Sequence, residues 1–317
     1  MVVVAGPTGS GKTDLALHLA EAFDGEIINC DSIQVYRHLS IGAAKLPPEQ
    51  RRGIRHHLLD VADPDQVFTA GDFSRLGRGA LREITARGRL PIVAGGTGFY
   101  LRALLDGLSP GPARDEVRRR RLAAREQRRP GALHAMLSKW DPPAAGRIHP
   151  HDVNKLMRAV EVMLIERRPM SRVQADARGK LEGYRWLKIG LDPPRRDLYA
   201  RIDARAARMF EQGLVEEVQS LLAMQYSEQC KPFEALGYRQ ALRLLKKHLS
   251  PADAVTETQL RSRQYAKRQL TWFRREAGMT WIHGFGGDPQ TRQRAIEMTR
   301  AFLAPESPAE PFPALPV

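Results

Sequence analysis

Residues 6–13 read Gly-Pro-Thr-Gly-Ser-Gly-Lys-Thr, and they stand between a bare apolar run, Met1-Val-Val-Val-Ala5, and a helix-patterned stretch over 14–23. A strand that turns through glycines directly into a helix is the context of a phosphate-binding P-loop, and it commits the chain to an α/β fold. The glycines let successive backbone N–H groups curl around phosphate oxygens, Lys12 supplies a mobile positive charge, and the Thr13 hydroxyl is placed to ligate Mg²⁺. Gly6, Pro7, Thr8, Gly9, Ser10, Gly11, Lys12 and Thr13 are therefore the candidate phosphate-binding residues. The competing reading, a turn that binds nothing, would not need strand, loop, lysine and helix in this order. The motif leaves the owner of the phosphate open. Such loops serve ATPases, GTPases and small-molecule kinases, and occasionally hold a pyrophosphate that leaves.

The pattern that follows extends the same architecture. Strand-like runs at 26–30 and 90–94 alternate with a helix pattern at 73–87, which predicts a parallel sheet flanked by helices. After residue 112 the texture becomes Arg-dense and helical, at 116–129, 133–140 and 152–166, before 185–190 returns to the sheet. Further helical segments are predicted near 196–224, 238–248 and 251–276. The expected organisation is a P-loop NTPase-like catalytic core over 1–113 and 187–303, a mostly helical insertion over 114–186, and a proline-rich disordered tail over 304–317.

Composition narrows the setting. A chain of 317 residues can bury a large core and carry a second module. Fifty Lys and Arg against 36 Asp and Glu leave a formal charge of +14, which points to a polyanionic partner without naming it. Cys30 and Cys230 are too few and too far apart for a disulfide framework or a zinc site, and they fit a reducing cytosol. No basic-then-apolar leader precedes the first strand and no run reaches membrane-spanning length, so a cytoplasmic location is expected. One chain carries every motif, so a monomer is expected as well.

Ligands of open α/β sheets bind beyond the carboxyl ends of the strands. The run 26–30 ends in Asp31-Ser32-Ile33-Gln34, and the run 90–94 ends in Gly95-Gly96-Thr97-Gly98. Asp31 thus faces the P-loop mouth as a general base or a carboxylate behind Mg²⁺, and Thr97 is close enough to share the substrate. The alternative is that Asp31 only caps the next turn and the glycines only permit close approach. A nucleotide hydrolase normally carries an acidic residue where Gly95 stands, which counts against ordinary ATP hydrolysis. Arg201, Arg205 and Arg208 recur at helical spacing, either as positive charge near the phosphates or as a solvated face. Arg261, Tyr265, Arg268, Trp272 and Arg275 share one stripe, either as an RNA-facing row of cations and rings or as core aromatics under snorkelling arginines. Arg118 to Arg121, with Arg125, Arg128 and Arg129, make a positive helix suited to phosphates. His56-His57 and Asp60 lack further ligands at a plausible spacing and are expected to shape the core edge. The Gly-rich stretch 284–287 is expected to lie outside any strand-to-helix context.

Seven ordered stretches carry a family resemblance: the P-loop at 6–13, Asp-Ser-Ile-Gln-Val-Tyr at 31–36, His-His-Leu-Leu-Asp at 56–60, Gly-Gly-Thr-Gly-Phe-Tyr at 95–100, Arg-Ile-His-Pro at 147–150, Leu-Gly-Tyr-Arg at 236–239 and Ala-Lys-Arg-Gln-Leu-Thr-Trp-Phe-Arg at 266–274. With them the chain resembles the bacterial tRNA dimethylallyltransferase, or tRNA isopentenyltransferase, family over nearly its whole length. It departs where Ala43 and Leu46 stand for the family's common Thr and Pro, and where Asn154-Lys155 stand for Gln-Arg.

The resemblance implies transfer of a dimethylallyl group from dimethylallyl diphosphate to N6 of adenosine 37 in tRNA, with Mg²⁺ on Thr13. It implies catalytic roles for Lys12, Asp31, Thr97 and Arg201, and diphosphate binding by residues 6–13 with Arg205. It also implies tRNA contacts at Asp31, Ser32, Ile33, Gln34, Thr97 and Arg118, at Asn154, Lys155, Leu156, Met157 and Arg158, at Gly237, Tyr238 and Arg239, and at Lys267, Arg268 and Gln269. Two other classes keep the P-loop: a small-molecule kinase or adenylate-type isopentenyltransferase, which would not need the Arg-rich insertion, and a non-catalytic RNA-binding protein.

Overall fold

The computed structural model describes residues 1–108, 111–112, 114–175 and 179–304. In chain order the elements are β1 (Val2–Ala5), α1 (Lys12–Ala22), β2 (Gly25–Asn29), β3 (His56–His57), α2 (Ala70–Ala86), β4 (Leu90–Gly95) and α3 (Gly98–Leu105). There follow α4 (Glu116–Arg128), α5 (Ala132–Trp140), α6 (Pro142–Ala145), α7 (Val153–Glu166) and α8 (Met170–Ala175). The chain then forms β5 (Leu187–Leu191), α9 (Arg195–Glu211), α10 (Leu214–Ala223), α11 (Tyr238–Leu245), α12 (Pro251–Phe273), β6 (Met279–Ile282) and α13 (Pro289–Leu303).

The six strands make one parallel sheet in the order β3-β2-β4-β1-β5-β6. Parallel strands covered on both faces read as unbroken apolar runs, and every residue of β1 and β2 is buried. Val2, Val4, Ile27, Ile92, Ile189 and Leu191 form the core with Leu15, Leu17 and Leu19 of α1. From β1 the chain crosses to β2 and β3, returns to place β4 between β2 and β1, and only then passes to β5 and β6 on the other side. The order therefore reverses at β1, and the crevice at such a switch point is where these sheets bind ligands. One charge interrupts the core: Glu26 of β2 accepts hydrogen bonds from Arg87 at 3.0 and 2.8 Å and meets His57 Nε2 at 2.6 Å. Burial alone would raise its pKa, but Arg87 and His57 hold it down to about 2.

The predicted strands and helices form, α3, α6, α8 and α13 lie outside every predicted helix, and four further differences stand out. His56–His57 forms a two-residue edge strand, too short to show a period. β6 is a half-exposed edge strand, so its four residues lack the continuous apolar run that marks a central one. The predicted helix near 196–224 breaks at Gln212-Gly213 into α9 and α10. The stretch 284–287 does join a strand to a helix, β6 to α13, contrary to expectation, and Gly286 N donates to Ser10 O of the P-loop at 2.8 Å.

By contact density the chain forms two compact units, Met1–Leu104 with the segment from Gly183 onward, and Leu105–Glu182. The predicted boundaries of 114 and 186 both lie C-terminal to these, because Leu181 N donates to Leu105 O at 2.8 Å and closes the smaller unit at its base. That unit is helical, with a core of Leu122, Leu133, Leu137, Leu156, Val160 and Met163. Its fully buried Glu161 accepts from Arg119 at 3.1 Å, Arg158 at 2.8 Å and Asp115 N at 2.9 Å. The tail predicted over 304–317 lies, except for Ala304, outside the described residues. Among the described residues no helix is long and apolar enough to cross a membrane.

Candidate active site

The P-loop leaves β1 at the centre of the sheet and enters α1 through Gly11, whose φ of 83° is left-handed and suits a residue without a Cβ. Lys12 opens α1 and folds back, its Nζ donating to Pro7 O at 2.7 Å. Thr8 N donates to Gln269 Oε1 at 2.8 Å, while Gln269 Nε2 donates to Gly96 O at 2.8 Å. A single amide on α12 thus ties the P-loop to the turn after β4. From α9, Arg205 Nη1 reaches Thr8 Oγ1 at 3.5 Å. Burial pulls the Lys12 pKa down to about 8, and Arg205 pulls in the same direction while Asp31 opposes it.

Asp31 follows β2. Its Oδ1 accepts from Ile33 N at 2.9 Å and Gln34 N at 3.3 Å, so it caps the turn as well as facing the cavity. Thr97 Oγ1 accepts from Ser32 N at 3.1 Å, and Thr97 N donates to Cys30 O at 3.2 Å. The turns after β2 and β4 therefore touch, which only glycine at 95 permits: a Cβ there would lie 2.0 Å from Cys30 O. Tyr265 of α12 lies over the same cavity, and burial, with the charge of Asp31, pushes its phenol up to about 12.

Lys12, Asp31, Arg205, Tyr265 and Gln269 line one cavity of about 110 Å³, while Thr97 lies outside its lining. Thr8, Lys12, Thr13, Asp31, Gln34 and Arg205 supply its polar side, and Ala16, Ile27, Ala43, Ala44, Leu46 and Leu59 its apolar side. Two cations and the N-terminus of α1 against one carboxylate favour an anion, and the apolar side favours a hydrocarbon attached to it. The Thr13 hydroxyl and the Asp31 carboxylate are hard oxygen donors within this cavity, a set that fits Mg²⁺ carried in on phosphate oxygens.

Not every sequence-derived residue joins the site. Arg201 is exposed, 3.7 Å from Asp14 and 5.0 Å over the Phe285 ring, outside the cavity lining. Three residues expected to touch tRNA are buried: Gln269 forms the bridge above and lines the cavity, Leu156 packs in the core of the smaller unit, and Tyr238 packs beneath the loop that carries Ala43. The helical period places them on the apolar faces of their helices. Gly237 is buried as the N-cap of α11, while Arg239 is exposed.

Lys267 and Arg268 are exposed and line a second, basic cavity of about 530 Å³ with Arg102, Gln264, Thr271, Trp272 and Arg275. The Arg102 guanidinium lies 4.5 Å over Trp272, and Arg268 lies 5.7 Å over Tyr265. Both readings of this stripe hold in part, since the rings are half-buried and the cations cover their faces. In the smaller unit, Asn154 and Lys155 are exposed, Lys155 Nζ meets Asp152 at 2.6 Å, Met157 packs partly inward, Arg158 also donates to Pro112 O at 2.9 Å, and Arg118 meets Asp115 at 3.2 Å.

A parallel sheet with a phosphate loop at its switch point, and a carboxylate from β2 facing that loop, defines a P-loop-type α/β enzyme. The chain belongs to the IPP transferase family, which matches over residues 34–276. It is 55% identical over 303 residues to the tRNA dimethylallyltransferase of Solibacter usitatus, covering 96% of this chain and 99% of that one. Against the tRNA dimethylallyltransferase of Koribacter versatilis it is 52% identical, covering 95% and 98%. Its fold matches the crystal structure of the full-length tRNA isopentenylpyrophosphate transferase from Bacillus halodurans with a TM-score of 0.71, at 36% identity over 95% of each chain. A eukaryotic dimethylallyltransferase solved acting on tRNA matches with a TM-score of 0.81 at 28% identity, covering 96% of this chain and 79% of that one.

Proposed function

We propose that this enzyme transfers the dimethylallyl group of dimethylallyl diphosphate to N6 of adenosine 37 in tRNA and releases diphosphate. The observation that carries the reading is the single cavity in which Lys12, Arg205 and the P-loop face Asp31 across an apolar wall. An adenine N6 is a weak nucleophile because its lone pair is delocalised into the ring. As N6 bonds to the allylic carbon, the carbon–oxygen bond breaks toward diphosphate and the N6 proton passes to Asp31. Negative charge grows on the departing diphosphate, where Lys12, Arg205 and the loop amides stabilise it. Mg²⁺ bound at Thr13 would add positive charge to the same oxygens. Thr97, held by the bond from Ser32 N, orients the adenine in this reading.

The target base must leave its stack to reach this cavity, which costs least in a single-stranded loop. The basic groove of Arg102, Lys267, Arg268 and Arg275 and the exposed arginines of α4 suit RNA phosphates. The reaction belongs in the cytoplasm, and one chain suffices for it. The test is incubation with labelled dimethylallyl diphosphate, Mg²⁺ and an unmodified anticodon stem-loop, with AMP as an alternative acceptor, followed by nucleoside analysis. Label on the stem-loop adenosine alone is expected. Label on AMP would favour the adenylate-type reading, and consumption of ATP with phosphate on a small acceptor would favour a kinase.

A further inference from the structure

One side of the cavity is held from behind. Ala43, Ala44 and Leu46 face the cavity, and the backbone of their loop is gripped by a residue that does not line it. Ser40 N and Ile41 N donate to Glu217 Oε2 at 2.9 and 2.8 Å, and Gly42 N donates to Glu217 Oε1 at 3.3 Å. Consecutive N–H groups turned toward one point make an anion-binding nest, here filled by a side chain from the first turn of α10. The Tyr238 hydroxyl donates to Glu217 Oε1 at 2.5 Å and accepts from Ala43 N at 3.1 Å. The Tyr238 ring is fully buried against Gly42, and burial with the adjacent Glu217 charge raises its pKa, so the phenol remains a donor.

The loop passes this restraint on. Gln34 Nε2 donates to Ala43 O at 3.0 Å and to Ala44 O at 3.3 Å, and Gln34 N donates to Asp31 Oδ1 at 3.3 Å. A continuous hydrogen-bonded path thus leads from Glu217, through the cavity wall, to the carboxylate placed to take the proton.

We infer that Glu217, with Tyr238, is a positioning residue that fixes the apolar wall at 43–46 and so limits the length of the allylic chain the cavity admits. The inference rests on the allylic diphosphate reading of the cavity. A cavity of about 110 Å³ is small for a ligand site, so a wall that cannot retreat decides what fits. Released from its nest, the loop yields outward, grips the five-carbon donor less well and admits a ten-carbon one.

The test compares wild type, Glu217→Ala, Glu217→Gln and Tyr238→Phe. It measures kcat and KM for dimethylallyl and geranyl diphosphates with one anticodon stem-loop, together with stem-loop affinity and melting temperature. In Glu217→Ala the KM for the five-carbon donor is expected to rise about tenfold or more, as for a lost charge-assisted hydrogen-bond set. The ratio of kcat/KM for the five- over the ten-carbon donor is expected to fall by a similar factor, with stem-loop affinity held within about twofold. Tyr238→Phe should move in the same direction by less, and Glu217→Gln, which keeps one acceptor, should fall between wild type and Glu217→Ala. Should Glu217→Ala not fold, Tyr238→Phe decides. Variants that lose only active fraction or melting temperature, with KM and donor ratio unchanged, overturn the inference alone. A wild type that transfers from neither donor overturns the functional reading and the inference together.

Discussion

Replacing Lys12 with Met should stabilise the fold while removing activity. Burial moves Lys12 from its ordinary 10.5 to about 8, so at pH 7 the folded protein holds a charged group where that charge is disfavoured. A shift of this size corresponds to roughly 3 kcal/mol given up to folding at pH 7. Methionine keeps the apolar stem and removes the charge, but it forfeits the bond from Nζ to Pro7 O at 2.7 Å, worth about 1 kcal/mol. The net gain is about 2 kcal/mol, or about 3 °C in melting temperature for a chain of this size.

The sign changes with pH. Below pH 8 folded and unfolded Lys12 are both charged and the penalty is complete. Between about 8 and 10.5 the unfolded state binds more protons, so wild-type stability rises with pH until the penalty is gone. Thermal denaturation of both proteins at pH 7 and near pH 10 measures this. A variant no more stable than wild type at pH 7, or one whose advantage persists at pH 10, would refute the reasoning.

Three further outcomes are expected. Asp31→Asn retains an acceptor for Ile33 N and Gln34 N but cannot take a proton, so kcat should fall by a factor of about 10² to 10⁴ with little change in melting temperature; a kcat within twofold of wild type would remove Asp31 as the base. The double change Lys267→Ala, Arg268→Ala should weaken stem-loop binding and flatten its salt dependence by about two phosphate contacts, with the KM for the diphosphate unchanged, as titration across salt concentrations would show. Glu26, held at about 2 against an ordinary 4.5, contributes stability that is complete above pH 4.5 and lost as pH falls toward 2. Glu26→Gln should therefore be less stable at pH 7 by roughly 2–3 kcal/mol, and the gap in melting temperature should close as the pH is lowered through that range.

The parts of the site that sequence made legible are those written in local order. A strand, glycines, Lys12, Thr13 and a helix occupy consecutive positions, so the P-loop needs no tertiary knowledge. Asp31 and Thr97 follow from the rule that ligands meet the carboxyl ends of strands. What sequence did not reveal depends on which way a helix turns its faces. Gln269 stands between Arg268 and Leu270 in a basic run, and only the packed position of α12 aims its amide at Thr8 and Gly96. Glu217 lies 177 residues from the backbone it grips at Ser40, and no motif or charge pattern links the two. Arg201 and Arg205 sit one helical turn apart and look equivalent in sequence, yet Arg205 enters the cavity and Arg201 turns toward Asp14. β6 escaped notice because a short, half-exposed edge strand needs only weak periodicity.

The smaller unit begins and finishes at neighbouring residues, Leu105 and Leu181, joined by one backbone hydrogen bond. A module inserted at a single point in this way can be lengthened, exchanged or excised without reordering any strand of the sheet. Evolution can therefore rework the module's helices as an accessory while the sheet of the core stays fixed. An engineer could do the same, grafting another lineage's insertion at these two residues.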